Sequence, residues 1–302
     1  MSDFVPSHFQ QAIYDHVVAQ WAALKAWRKS PADSLPPRNL IVRATAGSGK
    51  SSTLRTVCAL IPDARIDVVS FSARVAKDAE KRLPPNASSV TLHAVGKRAL
   101  EAFFGRKYRS GSERRGNDAE LDGRKSQRII AALKERGAIS QYVPAAALAK
   151  LVSKAKGVGI VPMVMDSQSR ATVGSQGWTC TPLCEDTDAA WQALCAHHQI
   201  EASDERKLID AARIVLTESL KCSTALIDFD DMVYLAAILD AVTFERRDVV
   251  MVDELQDLDA MQRRMVLRMC GNMDNGRGVL DGAVMPTHTA LFIGVGDPRQ
   301  AI

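Results

Sequence analysis

Two stretches far apart in the chain carry residue types that could act together on a nucleotide phosphate. The first is Ala44-Thr45-Ala46-Gly47-Ser48-Gly49-Lys50-Ser51. Its glycines let backbone N–H groups turn inward around a phosphate, and a helix starting just after them would add the partial positive charge of its N-terminus. Lys50 would reach the outer phosphates, and the Ser51 hydroxyl, with Ser52 beside it, would bind Mg²⁺. The pattern begins with Ala44 where the strict form has Gly. The second stretch is Asp253-Glu254-Leu255-Gln256-Asp257, directly after the apolar run Val249-Val250-Met251-Val252. Two adjacent carboxylates at the end of a buried strand are costly without a partner, and nucleotide-bound Mg²⁺ is a natural one. Asp253 would hold the metal, and Glu254 would orient or deprotonate an attacking water. A plain Gly-rich turn and plain acidic residues at a helix N-terminus are the competing accounts. Each stretch argues against the plain account of the other.

The elements that must position these residues follow from periodicity and punctuation. Leu40-Ile41-Val42 reads as a short buried strand ahead of the glycines, and 53–61 as the helix after them. Ser7 is an N-cap, and Phe9, Ile13, Val17, Trp21 and Leu24 recur at helical spacing, which predicts a helix over 7–29 closed by Pro31, Pro36 and Pro37. Residues 66–71 read as a second strand, Ser72 as the cap of a helix over 73–83, and Val90-Thr91-Leu92 as a third strand before a helix reaching Phe104. Further on come the 249–252 strand, a helix over 259–270, a Gly/Asn-rich loop over 271–287 and a last strand over 290–295. Such alternation predicts an α/β fold with a parallel sheet covered on both faces, with ligands at the carboxyl ends of strands. Residues 70–74 and 91–93 lie at such ends.

The middle of the chain breaks this pattern. Residues 126–225 read as helices at 126–136, 144–155, 186–199 and 203–221, an all-helical insertion. The domain organisation expected is therefore a discontinuous α/β domain, 1–105 and 226–302, with a helical subdomain over 106–225. Residues 105–128 hold four Gly and an excess of Lys and Arg, which predicts a mobile basic loop able to touch phosphates, with Tyr108 as its one base-stacking candidate. Cys180, Cys184, Cys195, His197 and His198 fit no common zinc spacing, so zinc is not expected.

Composition excludes several classes. The 302 residues carry 46% hydrophobic and 25% charged residues, as ordinary globular chains do, with a net charge of +4 that permits a nucleic-acid partner. Six scattered cysteines suit reduced thiols rather than a disulfide scaffold. The polar N-terminus carries no signal-peptide pattern, and no apolar run approaches a membrane span, which predicts a cytoplasmic protein.

Taken in order, these stretches resemble the N-terminal half of a UvrD-like superfamily 1 helicase, phage-type members most. Phe9-Gln10-Gln11 is similar to the adenine-reading Gln motif, and residues 44–51 to the Ala-x-Ala-Gly-Ser-Gly-Lys-Thr loop, with Ser51 for Thr. Ser70-Phe71-Ser72-Ala73-Arg74 resembles the next, DNA-touching motif, and Thr91-Leu92-His93-Ala94-Val95-Gly96 the Thr-x-His-Ser-x-Gly segment, with Ala94 for Ser. Asp228-Phe229-Asp230-Asp231, the acidic motif with Leu255 for Ala, and Gly296-Asp297-Pro298-Arg299-Gln300 follow in the family's order. The resemblance implies a RecA-like ATP-binding domain of a DNA-dependent ATPase and helicase, using ATP and Mg²⁺. It implies that Gln10 reads adenine, and that Ala46, Gly47, Ser48, Gly49, Lys50, Ser51 and Ser52 hold the phosphates. Ser51 and Asp253 would hold the metal, Glu254 would act on water, and Gln300 would sense the γ-phosphate. Phe71, Ser72, Arg74, Thr91 and His93 would line a path for single-stranded DNA or a single-strand/duplex junction. In a phage the site of action would be the host cytoplasm, with replication or repair as the setting. The family's second RecA-like domain and its arginine finger have no match in these residues. The expectation is that the chain alone binds ATP and turns it over slowly; the alternative is a truncated ATP- and DNA-binding module without turnover.

Overall fold

The computed structural model describes residues 5–45, 47–162, 164–165, 171–173, 177–271, 273–274, 277–278, 290–297 and 299. It divides into two compact units. The first comprises residues 1–92, 244–258 and 266–302, and the second 93–243 and 259–265.

The first unit opens with α1 (His8–Lys29), then β1 (Leu40–Arg43), α2 (Lys50–Leu60), β2 (Ile66–Val69), α3 (Ala73–Glu80) and β3 (Ala87–Val90). Beyond it run α4 (Leu92–Phe104), β4 (Tyr108–Arg109), β5 (Ala119–Leu121), α5 (Lys125–Glu135), α6 (Ala145–Val158), β6 (Val164–Met165), β7 (Ala171–Val173) and β8 (Trp178–Cys180). Next are α7 (Asp188–His197), α8 (Glu205–Lys221), β9 (Leu226–Ile227) and α9 (Phe229–Ile238). The chain closes through β10 (Val249–Val252), α10 (Ala260–Met269), the short pair β11 (Met273–Asp274) and β12 (Arg277–Gly278), and β13 (Leu291–Gly296). Among the described residues no helix is long and apolar enough to cross a membrane.

The sheet of the first unit is parallel throughout, in the order β1-β13-β10-β2-β3. This is the predicted α/β fold, a parallel sheet flanked by helices. Every residue of β10 and β13 is buried, as continuous apolar runs in a central parallel strand require. Tyr14, Val17, Trp21, Leu24 and Trp27 on α1 join Leu54, Val57 and Cys58 on α2 and the inner residues of β2, β10 and β13 in one core. Polar clamps fix the elements. Trp21 Nε1 donates to Asp63 at 2.8 Å. Asp248, just before β10, accepts from Arg28 of α1 at 2.5 Å and from the Arg65 N–H at 2.8 Å. The Asn86 side-chain amide donates to the carbonyls of Cys58, Ile61 and Ala64, closing the end of α2.

Two strands differ from expectation. β1 lies at the edge of the described sheet and Ile41 is 63% exposed, so it is not a buried strand. The third strand is 87–90 rather than 90–92. Polar Ser88 and Ser89 read as turn residues alone, yet pairing with Asp67 and Val68 of β2 makes them strand, and α4 begins at Leu92.

In the second unit the four helices expected between 126 and 221 are present as α5 to α8, but the block is not all-helical. It contains the parallel sheet β4-β5-β9 and the antiparallel sheet β6-β7-β8. Residues 105–128 carry regular structure rather than a bare basic loop. Part of their charge is offset locally, because Arg109 pairs with Asp118, Arg114 with Glu120, and Arg128 with Glu120 and Asp122. Tyr108 is fully buried and its hydroxyl donates to the Ser223 carbonyl at 2.7 Å, so it cannot stack on a base. At the start of α9, Asp228 and Asp231 form a capping box and meet two buried lysines. Lys125 donates to Asp231 at 2.6 Å, and Lys156 to Asp228 at 2.7 Å and to Asp231 at 2.8 Å.

Candidate functional site

The turn between β1 and α2 is built by backbone conformation. Gly47 and Gly49 have φ of 73° and 85°, in the left-handed region that glycine enters without steric cost. Gly49 is the N-cap of α2 and offers no side chain, so among the described residues no side chain caps the first N–H groups of the helix. The Gly49 carbonyl is engaged instead, accepting from the Ser52 hydroxyl at 2.7 Å and the Thr53 hydroxyl at 3.0 Å. Helix N-termini of this kind attract anions. Ser48 donates through its N–H to the Thr45 carbonyl at 3.3 Å. Ala46 lies outside the described residues.

The acidic pair reaches the same place from the other side of β13. Lys50 Nζ lies 2.6 Å from Glu254 Oε2, and the Ser51 hydroxyl donates to Asp253 Oδ2 at 3.3 Å. The Lys50 side chain is 8% exposed. The two carboxylates are driven apart in acidity. Burial, and then the charge of Glu254, push Asp253 above the ordinary carboxylate range. Hydrogen bonds from Gln256 and then Lys50 hold Glu254 below it. Gln256 carried no role in the sequence reading. Its amide donates to Glu254 Oε2 at 3.0 Å and accepts the Asp297 N–H at 3.1 Å.

Gln10 sits beside the same turn. Its Oε1 accepts the Ser7 N–H at 2.9 Å, closing a capping box on α1, and its Nε2 donates to Thr53 Oγ1 at 3.1 Å. Gln11, by contrast, reaches only Asp15 on the exposed face. A cleft of about 450 Å³ adjoins Ser51 and Asp253 and is lined also by Ser70, Arg55, Asp78 and Arg82.

The residues expected along a DNA path form no part of this cluster. β2 pairs directly with β10, Val69 opposite Val252, so Phe71 and Asp253 leave neighbouring strands at the same end. Phe71 is 66% exposed. The Ser72 hydroxyl caps α3 by accepting the Val75 N–H at 3.3 Å, and Arg74 is exposed on the first turn of that helix. Thr91 is half-buried between β3 and α4. His93 belongs to the first turn of α4, in the second unit, where burial pushes its imidazole down against the opposing charges of Asp230 and Asp259. Gln300 lies outside the described residues.

The donor set thus brings together a buried ammonium, a hydroxyl next to a carboxylate, a second carboxylate held below the ordinary range and a helix N-terminus. Ser51 and Asp253 are hard oxygen donors of the kind Mg²⁺ takes. A family model of the UvrD/REP helicase N-terminal domain matches residues 26–302 of the chain. No curated protein sequence matches it significantly.

Proposed function

The chain belongs to the UvrD/REP helicase family, and from that premise we propose that it forms the ATP-gripping part of a DNA-dependent ATPase that moves on single-stranded DNA and opens duplex. The observation that carries the reading is the convergence of Lys50 and Ser51 on Glu254 and Asp253, more than two hundred residues away in the chain. Lys50 turns from Glu254 to the outer phosphates. Gly47, Ser48, Gly49 and the first N–H groups of α2, with Ala46 and Ser52, cradle them. Ser51 and Asp253 would hold Mg²⁺, which would supply positive charge against the charge developing on the phosphates. Glu254, the more acidic carboxyl of the pair, is ionised and takes the proton of the attacking water. Gln10 reads the adenine from α1, and Gln300 reports the γ-phosphate.

Phe71 stacks on a base, and Ser72, Arg74, Thr91 and His93 are further DNA contacts. Translocation needs a second domain that closes and opens on the strand. Among the described residues no arginine pairs with Asp253 or Glu254. A supplied arginine is worth about 10³–10⁵ in phosphoryl-transfer rate. On this reading the 302 residues on their own bind MgATP and hydrolyse it slowly.

The test is titration of a fluorescent ATP analogue with Mg²⁺, followed by ATP turnover with and without single-stranded DNA. Lys50→Ala removes a charge-assisted contact worth about 1.5–3 kcal/mol, so affinity should fall roughly 10- to 150-fold. Unchanged affinity would refute the assignment of the loop. Binding with no turnover under any condition would instead favour a non-hydrolysing module.

A further inference from the structure

We infer that Gln256 is a positioning residue, one that holds the Glu254 carboxylate in its working place by tying it to the backbone at the end of β13. This rests on the reading of Glu254 as the group that takes the proton of water.

The amide is placed so that its orientation is forced. The Asp297 N–H can only donate, so the oxygen of the amide faces it, at 3.1 Å. The nitrogen then faces the Glu254 carboxylate, at 3.0 Å. A side chain that donates on one side and accepts on the other is required, and neither a carboxylate nor an alkyl group can replace it.

The oxygen held is Oε2, the same one that meets Lys50. When Lys50 turns to phosphates, Gln256 is the partner that still fixes Oε2. Among the described residues Oε1 has no donor, so it is the oxygen directed to water.

The backbone around the pair needs such a tether. Glu254 has φ of 55°, a left-handed conformation that is strained for a residue with a Cβ and is kept only where its surroundings enforce it. The short turn that follows it, Leu255–Asp257, lies directly on β13. The strand admits it because two alternate positions lack side chains. A Cβ at Gly294 would come within 2.7 Å of Leu255 Cδ2, and one at Gly296 would fall inside contact distance of the Gln256 amide oxygen.

Two variants of the full chain test this. Gln256→Met removes the amide at similar volume. Gly296→Ala keeps Gln256 but puts a methyl group where its oxygen sits. Far-UV circular dichroism and the affinity for the fluorescent ATP analogue report whether each variant keeps its fold and its loop. The readout is turnover. kcat should fall roughly 10- to 100-fold in both variants with KM for ATP unchanged, the scale on which small misplacements of reacting groups act. An unchanged kcat in both variants, or a raised KM with kcat intact, overturns the inference. If the parent binds no ATP analogue, the ATPase reading falls, and the inference falls with it.

Discussion

Lys156 should be among the most stability-sensitive positions of the second unit, although as a lysine it looks dispensable. Its ammonium is 1% exposed and sits 2.7 Å from Asp228 and 2.8 Å from Asp231. Lys125, fully buried, supplies the other charge, 2.6 Å from Asp231. The four groups are therefore two cations and two anions closed off from water. Lys156→Met fits the volume but leaves two carboxylates with one ammonium. Removing one partner of a buried pair costs about 3–5 kcal/mol, since the stranded charge keeps its desolvation penalty. At roughly 2–4 °C per kcal/mol for a unit near 150 residues, the midpoint should fall by about 6–20 °C. Differential scanning calorimetry of the whole chain measures it. The matched variant is Lys156→Met with Asp228→Asn. It restores one cation to one anion, and Asn keeps an oxygen for the N–H of Asp231 and so can still cap α9. It should recover at least half of the loss. A single variant within ~2 °C of the parent, or a double variant less stable than the single one, would refute the account of the quartet as a balanced set of buried charges.

Two further outcomes follow from groups already described. Burial pushes Asp231 up, but Lys125 and Lys156 outweigh it and hold it at about 2. A depressed folded value means stability that is present above the unfolded value near ~3.9 and is lost as pH falls towards the folded one. The stability gap between the parent and Asp231→Asn should therefore narrow below pH ~4; a gap constant from pH 6 to 3 contradicts the assignment. Gln10→Ala should abolish any preference for ATP over GTP in competition against the fluorescent analogue, while stability falls by the cap contact, about 1 kcal/mol, and the Thr53 hydrogen bond, about 0.5–1.5 kcal/mol. Retained discrimination would place the adenine reader elsewhere.

What could be read from the sequence was whatever is local. The Gly47 and Gly49 turn, the uninterrupted apolar run of β10 and the 3–4 spacing of Val17, Trp21 and Leu24 each contain their own explanation. The misreadings share one physical cause, a partner supplied from far along the chain. Ser88 and Ser89 become strand because β2 is beside them. Tyr108 is buried because the Ser223 carbonyl, 115 residues on, accepts its hydroxyl. Lys125 and Lys156 default to solvent in any reading of one sequence, and only α9 makes them interior. Gln256 looked like a spacer inside an acidic motif. Its role depends on an N–H of Asp297, which no spacing rule connects to it.

The order of strands also governs when the glycine turn after β1 can take its place during synthesis. β1, which carries that turn, pairs in the described sheet only with β13, and Leu40 faces Ile293 across roughly 250 residues of intervening chain. β2 and β3 can pair early, but β10 and β13 emerge only after residues 93–243 of the second unit have been made. At ribosomal speeds of about 5–20 residues per second, β1 waits on the order of ten seconds or more for its partner. The early strands spend that interval with unpaired edges and exposed apolar faces, which makes the nascent chain a substrate for chaperones. The second unit, whose sequence is continuous apart from residues 259–265, can complete most of its own packing in that time.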